Sequence, residues 1–436
     1  MSEKIYIYTL GCPKNEADSE YAASMLEEEG FEMTGDAEDA DIILINTCAF
    51  VNDAKEESVE AILEACEMKK TRPDLRVGIM GCLAQRYASE LSEEIPEADW
   101  FIGTGSFNRL AEILRGSEKI SLGSIDTLQK ETGRLVEYDD PYAYVKISEG
   151  CDKNCTYCII PKLKGRHRSR RMEDILAEVR ELAEEEGKSE IILVAQDTAF
   201  YGTDIYKERK LAELIKEIAS IDAVHWIRLL YVYPEEVDDA LIEVYRSCDK
   251  LVKYIDIPMQ HINDRVLKRM NRRTSRRDIE DLLSRLREAV PDIAIRSSLI
   301  AGFPGETPGE AEELREFLEK ARLTRAGVFC YSREEGTPAW KMDGQIPEEE
   351  KIRRRDMLME TQMNVSESIL SEFVGRTLEV LVEDEENGLY VGRSYLDSPE
   401  IDGAVYIKSD EELHRGSYVN VLITDSTEYD LWGERI

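Results

Sequence analysis

The sequence of 436 residues predicts an α/β protein of three parts. These are an amino-terminal domain on an open parallel sheet, a central partial (β/α)6 barrel and a small all-β barrel at the carboxyl end. Two alternations of short apolar runs with helix-like segments predict the first two parts, because such runs are typical of parallel sheets covered on both faces. Regularly spaced short strands with Gly-rich turns predict the third. The predicted domains are residues 1–130, 137–370 and 373–436, with a polar linker over 131–142.

The amino-terminal part carries a cysteine after each of three predicted strands. The strands are Lys4–Thr9, Asp41–Asn46 and Arg76–Met80, and the cysteines are Cys12, Cys48 and Cys82. Ligands of open α/β sheets bind at the carboxyl ends of the strands, and parallel pairing brings these ends together. A single such cysteine is more often a small buried apolar residue. Three at the same topological position predict the ligands of an iron–sulfur cluster.

Another three cysteines lie close together in the segment Cys151-Asp-Lys-Asn-Cys155-Thr-Tyr-Cys158. Thiolates are the ligands of iron–sulfur clusters, and one loop can wrap this spacing around a cluster. No fourth cysteine lies nearby in the sequence, so one iron would stay open, as a metal position does in catalytic sites. The alternative is a zinc knuckle, which needs a fourth ligand, and His167 is the local candidate.

The central part repeats the alternation of strands and helices. Polar residues collect at the strand ends, and in barrels of parallel strands the chemistry sits on this carboxyl face. The segment Gly302-Phe-Pro-Gly-Glu-Thr307 marks a turn into a helix, and its glycines also allow a ligand to approach the backbone closely. His261, at one strand end, either contacts substrate or serves packing. The predicted strands are 143–149, 190–196, 226–232, 254–259, 294–301 and 325–331.

The composition restricts partners and compartment. The formal net charge is −35, and so acidic a surface repels phosphate backbones unless basic residues gather locally, which favours a basic protein partner. Six Lys and Arg do gather at 162–171, either as a solvated loop or as a counter-charge for a ligand carboxylate. Nine cysteines without an export signal favour reduced thiols in the cytoplasm. No run of about 18 apolar residues predicts a membrane span.

The last part follows a long predicted helix from Pro347 to about Phe373. Residues 374–436 contain 5 Lys and Arg against 15 Asp and Glu, a net charge of −10. A tRNA-binding module should be basic, because phosphate neutralisation supplies most of the affinity, so this one is expected to attract a basic protein instead. The acidity could also serve solubility alone. Trp432 is either an apolar anchor for such a partner or a core residue. The predicted strands are 377–382, 389–392, 404–408 and 418–423.

The CxxxCxxC spacing of Cys151–Cys158 resembles the motif of the radical S-adenosylmethionine (AdoMet) enzymes. In that family the open iron of a 4Fe–4S cluster binds the amino and carboxylate groups of AdoMet. The residue before the third cysteine lies beside the adenine, and Tyr157 holds that position here. The resemblance implies a partial (β/α)6 barrel with AdoMet contacts on its carboxyl face. The residues assigned to these contacts are Tyr157, Gln196, Asp197, Arg296, Gly302 and Phe303.

The two cysteine sets and a terminal module similar to a TRAM domain together resemble the methylthiotransferases, over essentially the whole chain. The resemblance implies two 4Fe–4S clusters and AdoMet as both methyl donor and radical source. It also implies that the cluster on the CxxxCxxC motif cleaves AdoMet with an electron from a small reductase such as flavodoxin or ferredoxin. The cluster on the three amino-terminal cysteines would present methylated sulfur to the substrate radical.

Members of this family modify either an adenosine in tRNA or the β carbon of an aspartate in small-subunit ribosomal protein number twelve. Three segments resemble the second group: Gly11-Cys-Pro-Lys-Asn-Glu-Ala-Asp18, Ala195-Gln-Asp-Thr198 and Tyr429-Asp-Leu-Trp-Gly433. The acidic terminal module favours the same partner, free or on the ribosome, and makes tRNA a poor one. The β C–H of aspartate is too weakly acidic for a side-chain base near neutral pH, so a radical suits it better. A tRNA enzyme, and an iron–sulfur redox sensor or RNA-binding protein without AdoMet cleavage, stay as alternatives.

Overall fold

The amino-terminal sheet is built from strands that are apolar at nearly every position, as a sheet covered on both faces requires. The computed structural model describes residues 2–126, 133–136 and 140–436. The strands here are β1 (Lys4–Thr9), β2 (Glu32–Met33), β3 (Ile42–Thr47), β4 (Arg76–Gly81), β5 (Trp100–Gly105) and β6 (Ile120–Gly123). The helices are α1 (Pro13–Glu28), α2 (Asn52–Met68), α3 (Cys82–Glu94) and α4 (Leu110–Arg115). The strands are parallel in the order β2-β1-β3-β4-β5-β6, with an apolar core on each face.

The central part is an open sheet of six parallel strands. They are β7 (Tyr142–Lys146), β10 (Glu190–Val194), β11 (Trp226–Leu229), β12 (Leu251–Asp256), β13 (Ala294–Ala301) and β14 (Arg325–Cys330), in the order β14-β13-β12-β11-β10-β7. A short antiparallel pair, β8 (Ser148–Glu149) and β9 (Arg168–Ser169), brackets the CxxxCxxC loop. The helices are α5 (Ile160–Leu163), α6 (Met172–Arg180), α7 (Leu211–Ala219), α8 (Asp239–Ser247), α9 (Asp264–Arg269), α10 (Arg276–Ala289), α11 (Pro308–Ala321) and α12 (Glu348–Leu370).

The carboxyl-terminal part is a closed five-stranded barrel in the order β15-β16-β17-β19-β18. Its strands are β15 (Thr377–Glu386), β16 (Leu389–Arg393), β17 (Val405–Lys408), β18 (Tyr418–Ser426) and β19 (Leu431–Arg435). This barrel covers the inner face of the central sheet, where Tyr144, Ile192 and Tyr254 share one apolar cluster with its own core. The helices cover the other face, which carries Val145 and Leu193.

Buried ion pairs fasten the terminal barrel to the central sheet. Glu190 Oε1 lies 2.7 Å from Arg228 Nε, and its Oε2 lies 2.7 Å from Arg393 Nη2 of β16. All three side chains are buried. Because removing one partner of a buried pair strands the other charge, this cluster specifies the docking geometry of the two parts.

The predicted α/β architecture of three parts is confirmed. Strands β1 and β13 have the predicted bounds, and the long predicted helix ends three residues early, at Leu370, before a short turn of 3₁₀ helix. Strands β2, β5, β6, β9 and β19 were not predicted; β2 and β9 have two residues each, and β5, β6 and β19 all contain glycine. The predicted linker lies partly outside the described residues, and the predicted domain boundaries stay predictions. None of the described helices combines the length and apolar composition that a membrane span needs.

Candidate functional site

The first cysteine set lies at the carboxyl ends of three neighbouring strands. Cys12 follows β1 and caps α1, Cys48 follows β3, and Cys82 begins α3 directly after β4. Since β1, β3 and β4 are adjacent in the sheet, the three thiols share one edge. We call Cys12, Cys48 and Cys82 the amino-terminal triad.

Side chains of the neighbouring loops hold this edge together. Asn15 Nδ2 donates to the carbonyl of Leu10 at 2.7 Å, and Thr47 Oγ1 donates to the carbonyl of Met80 at 2.6 Å. Gly11 adopts φ +97°, and a Cβ there would lie 2.7 Å from the Cβ of Cys48. Only glycine allows this close approach of the Cys12 loop to Cys48.

The second set, Cys151, Cys155 and Cys158, lies in the loop between β8 and α5, and we call it the barrel triad. The loop is fixed by backbone hydrogen bonds, with Cys151 N donating to Gly165 O at 3.1 Å and Cys158 N donating to Cys155 O at 3.1 Å. Cys151 and Cys155 are buried, and Cys158 is half-buried. The short pair β8–β9 brings both ends of this loop together.

Burial disfavours the thiolate form of Cys48, Cys82 and Cys151 in the absence of a metal. Burial, and then the neighbouring Cys12 thiol, raises the pKa of Cys48 to about 11. Burial raises the pKa of Cys82 and of Cys151 to about 12. Metal binding requires thiolates, so loading either triad releases protons.

A buried charge cluster joins the two triads. Asp18 of α1 accepts from Lys164 Nζ at 2.9 Å and also pairs with Lys146 of β7. Glu149, two residues before Cys151, lies 3.3 Å from Lys146 Nζ and 3.6 Å from Lys164 Nζ. These two lysines hold the pKa of Glu149 well below its usual range despite its burial. The helix that starts at the amino-terminal triad is thereby fixed to the loop of the barrel triad.

Four aromatic and cationic residues lie at this site that were not assigned as cofactor contacts from the sequence. The hydroxyl of Tyr233 lies 3.7 Å from Cys155 Sγ, and the Arg272 guanidinium lies 4.3 Å from the Tyr233 ring. Arg272 donates to Pro258 O at 2.8 Å, while its buried Nε and Nη1 have no acceptor among the described residues. Lys14, near Cys12, lies 3.8 Å from the ring centroid of Tyr231. The position of Tyr231 and Tyr233 after β11 and of Lys14 near Cys12 was the available signal, and Arg272, which follows α9, had none.

Two predicted AdoMet contacts, Gln196 and Asp197, follow β10 at the barrel mouth. Asp197 lines a cavity of about 130 Å³ beside Cys151, together with Lys153 and His167. Lys153 Nζ lies 3.7 Å from Asp197 Oδ2, neither carboxylate oxygen has a donor within hydrogen-bonding distance among the described residues, and burial raises the pKa of Asp197 to about 7. Gln196 donates to Glu149 Oε1 at 2.6 Å, and its own Oε1 is buried without a donor in the same described set.

Tyr157, Gly302 and Phe303 lie on one side of the barrel triad. Tyr157 packs against the apolar cluster that contains Phe303 and Tyr331. Gly302 adopts φ +75°, and a Cβ there would lie 2.9 Å from the Cβ of Lys351, so this position requires glycine for packing alone. The amides of Gly302 and Phe303 donate to Glu306 Oε2 at 2.7 and 3.0 Å.

Arg296 is placed differently from the other predicted contacts. Its Nη1 lies 2.9 Å from Asp256 Oδ1, and its Nε lies 3.3 Å from Asp402 Oδ1 of the terminal barrel. The structure thus pairs Arg296 with two carboxylates at the interface between the central sheet and the terminal barrel. Its contact with AdoMet stays a prediction.

The basic segment 162–171 is solvated only in part, and a role as counter-charge for a ligand carboxylate stays a prediction. Lys164 and Arg170 are buried, Lys164 against Asp18 and Arg170 with its Nη1 2.6 Å from Glu178 Oε2. Arg166 is exposed. The buried members therefore fasten the barrel loop to its surroundings.

The two histidines considered as ligands or substrate contacts, His261 and His167, are both buried. His261 is fully buried, and its Nδ1 accepts from the amide of Asn263 at 3.0 Å. His167 Nε2 lies 3.0 Å from Ser169 Oγ. Among the described residues, no three His, Cys, Asp or Glu side chains form a group that could hold a metal ion.

Thiols are the donors that iron–sulfur clusters use. Each triad supplies three thiols and leaves a fourth position open, which suits a cluster that also binds a small molecule. Beside the barrel triad, the donor-free oxygens of Asp197 and Gln196 and the acceptor-free nitrogens of Arg272 provide polar partners for a bound cofactor.

Family models match the three parts of the chain separately. Residues 4–103 match the uncharacterized protein family UPF0004, residues 145–318 the radical SAM superfamily, and residues 374–436 the TRAM domain. The structure resembles that of the radical S-adenosylmethionine methyltransferase TsrM from Kitasatospora setae, solved with cobalamin and a 4Fe–4S cluster bound. The TM-score is 0.57 at 15% identity, over 90% of this chain and 81% of that chain. At this identity the likeness shows the shared fold.

The fold and the barrel triad thus define a radical SAM enzyme. The chain is 48% identical to ribosomal protein uS12 methylthiotransferase RimO of Thermoanaerobacter sp. (strain X514), over 99% of this chain and 100% of the relative. It is 44% identical to the protein of the same name from Clostridioides difficile (strain 630), over 99% and 98%. The chain belongs to the RimO family of ribosomal protein uS12 methylthiotransferases.

Proposed function

We propose that this chain is a transferase that adds a methylthio group to the β carbon of an aspartate in ribosomal protein uS12. The observation that carries the proposal is the placement of two cysteine triads on either side of one buried charge cluster, made by Asp18, Lys146, Glu149 and Lys164. A reaction that removes hydrogen and inserts sulfur at one carbon needs both reagents within reach of that carbon. The names of the full-length relatives support the same activity.

We propose that each triad holds one 4Fe–4S cluster, so that the loaded enzyme carries two. Cys12, Cys48 and Cys82 would hold the first and Cys151, Cys155 and Cys158 the second. When bound, the clusters and AdoMet supply the radical, the sulfur and the methyl group. The electron would come from a small reductase such as flavodoxin or ferredoxin.

The chain's own residues bind, orient and shield. The six cysteines would bind the clusters as thiolates, so each thiol loses its proton when its cluster is bound. At the barrel mouth, the side-chain oxygens of Asp197 and Gln196 offer hydrogen-bond partners to AdoMet. Tyr157 and Phe303 offer an apolar surface to its adenine. Burial of the barrel triad loop excludes water, which protects a reactive intermediate from side reactions.

The terminal barrel carries a surface suited to a basic protein. Tyr406 and Trp432 are paired across β17 and β19, and their rings stack with centroids 5.2 Å apart. Their strand neighbours Leu431 and Ile407 are buried inside the barrel, so Trp432 faces outward and is not a core residue. The register extends this row from Asp384 through Val391, Tyr406 and Trp432 to Asp425.

We define these five residues as the aromatic–acidic row. Stacked aromatic rings attract Lys and Arg through cation–π contacts, and carboxylates at both ends add charge complementarity. Together with the net charge of −10 over residues 374–436, the row supports a Lys- and Arg-rich protein as partner. The same charges disfavour tRNA.

The test is anaerobic reconstitution with iron, sulfide, AdoMet and a reductant, followed by mass spectrometry of uS12 and of tRNA from one reaction. We expect a mass increase on one aspartate of uS12, the replacement of hydrogen by a methylthio group, and unmodified tRNA. Modification of tRNA with unmodified uS12 would instead identify a tRNA adenosine methylthiotransferase. A loaded protein that does not cleave AdoMet would be an iron–sulfur sensor or a binding protein.

A further inference from the structure

Lys14 is a cation at the start of a helix. It is the second residue of α1, directly after the Cys12 loop, and the positive end of a helix dipole disfavours a cation in the first turn. Within the described residues no carboxylate lies within ion-pairing distance of its Nζ, which instead lies 3.8 Å from the ring centroid of Tyr231. The chain has 91 Asp and Glu for its 56 Lys and Arg, so an ion-pair partner would be easy to supply.

The other lysines of this junction differ from Lys14. Lys146 and Lys164 pair with Asp18 and Glu149, and Lys153 pairs with Glu236. The carboxylate of Glu149 attracts Lys14, but it lies 3.3 Å from Lys146 Nζ and 3.6 Å from Lys164 Nζ. It also accepts a hydrogen bond from Gln196. Among the described residues, Lys14 therefore has no carboxylate within ion-pairing distance, so its ammonium group is available to a bound molecule.

Tyr231 holds Lys14 at the barrel mouth. It follows β11 with φ +61°, a left-handed conformation that is uncommon for a residue with a bulky side chain. Its amide donates to Asp256 Oδ2 at 3.0 Å, and its carbonyl accepts from the amide of Thr198 at 3.0 Å. A strained backbone conformation that is held by hydrogen bonds from neighbouring elements is typical of functional sites. Here it presents the Tyr231 ring to Lys14.

We propose that Lys14 binds the side-chain carboxylate of the aspartate that is modified, and so selects aspartate over uncharged residues. This inference rests on the proposed function, since it assigns the substrate contact of that same site. Lys14 is half-buried beside Cys12 of the amino-terminal triad, and a carboxylate bound to its ammonium would bring the adjacent β carbon to this triad. A charge-assisted hydrogen bond in a partly desolvated site is strong enough to determine specificity.

The test compares uS12 with a uS12 variant in which the modified aspartate, located by mass spectrometry, is replaced by Asn. Dissociation constants of both proteins are measured for the loaded wild-type enzyme and for Lys14→Gln, Lys14→Arg and the control Lys70→Gln. Lys70 is exposed at the end of α2 and pairs only with Glu67. Iron content of each enzyme verifies loading.

We expect the wild-type enzyme and the Lys70→Gln control to bind the Asp form about tenfold more tightly than the Asn form. Lys14→Gln should lose this preference, and Lys14→Arg should keep most of it. An unchanged preference in Lys14→Gln, or no preference in the wild type, would overturn the proposal while leaving the proposed function intact.

AdoMet also carries a carboxylate, and its binding is measured in the same series. Weaker AdoMet binding by Lys14→Gln with an unchanged Asp preference would assign Lys14 to the cofactor and overturn the substrate contact. A wild-type enzyme that neither binds nor modifies uS12 would overturn the proposed function, and the Lys14 assignment with it.

Discussion

Lys164 Nζ lies 2.9 Å from Asp18 Oδ2, and both side chains are almost completely buried. Asp18 belongs to the helix that begins directly after Cys12, and Lys164 follows Cys158 by six residues. One ion pair therefore joins the structural units that carry the two triads. Because buried charges tolerate little displacement from their partners, the relative position of the triads is fixed by the protein and not only by bound cofactors.

Replacing Asp18 by Asn should destabilise this junction strongly. Lys146 and Lys164 would lose the carboxylate that they share, and stranding a buried charge lowers the free energy of unfolding by about 3–5 kcal/mol. Guanidinium titrations of wild-type and variant protein, followed by circular dichroism, measure the difference. The exposed pair Arg109–Glu112 provides the control, since exposed ion pairs contribute little and Glu112→Gln should leave the stability nearly unchanged. Equal effects of the two substitutions would contradict this account of the junction.

The second prediction concerns iron. Two triads should hold about eight irons after anaerobic reconstitution. Changing Cys151, Cys155 and Cys158 together to Ala should remove half of the iron and abolish AdoMet cleavage, because the barrel triad binds the cluster that AdoMet contacts. Iron analysis and chromatography of 5′-deoxyadenosine measure both effects. Formation of 5′-deoxyadenosine by this variant would refute the assignment of the barrel triad.

The third prediction separates the roles of the triads. Changing Cys12, Cys48 and Cys82 together to Ala should also remove half of the iron, while AdoMet cleavage without substrate turnover continues. Transfer of the methylthio group to uS12 should stop, as mass spectrometry would detect. If a folded variant, verified by circular dichroism, loses AdoMet cleavage as well, the proposed division of labour is wrong.

The sequence predicted the triads because cysteine spacing and strand order are local or topological properties. The adjacency of β1, β3 and β4, and hence the common edge of Cys12, Cys48 and Cys82, follows from parallel pairing. Lys14, Tyr231 and Arg272 could not be predicted in the same way, since their roles depend on how separate elements meet. The two acidic partners of Arg296 come from β12 and the terminal barrel, and no local pattern connects them.

The fourth prediction concerns pH. Burial lowers the pKa of His261 to about 3, against about 6.5 in an unfolded chain. Below pH 6.5 the unfolded state therefore binds the proton and the folded state does not, so stability falls as pH falls from 6.5 towards 3. Between pH 7 and pH 4.5 this single group should cost about 2–3 kcal/mol. In His261→Gln the stability loss over this interval should be smaller by that amount, as denaturant titrations at both pH values would show. Parallel curves for the two proteins would contradict the prediction.

The last prediction concerns the terminal barrel, where four consecutive acids, 383–386, end β15. Glu383 is unsuitable for charge reversal, because its Oε1 lies 2.6 Å from Arg393 Nη2, which also pairs with Glu190. The other three, Asp384, Glu385 and Glu386, are exposed, and Asp384 belongs to the aromatic–acidic row. Exposed charges at the rim of an interface act mainly on the association rate, so changing these three to Lys should slow association with uS12.

The matched control reverses Glu184, Glu185 and Glu186, three exposed acids after α6, which changes the net charge equally at a distant surface. Stopped-flow association rates of both variants are measured at several salt concentrations. The β15 variant should be slowed about tenfold at low salt, and the difference should shrink as salt screens the charges, while the control should stay near the wild-type rate. Equal slowing of both variants would mean that net charge alone attracts uS12. Tight binding of tRNA at physiological salt, without affinity for uS12, would move the chain to the tRNA-modifying group. The assignment of a basic protein partner assumes that the acidic surface repels phosphates, and tight tRNA binding would contradict that assumption.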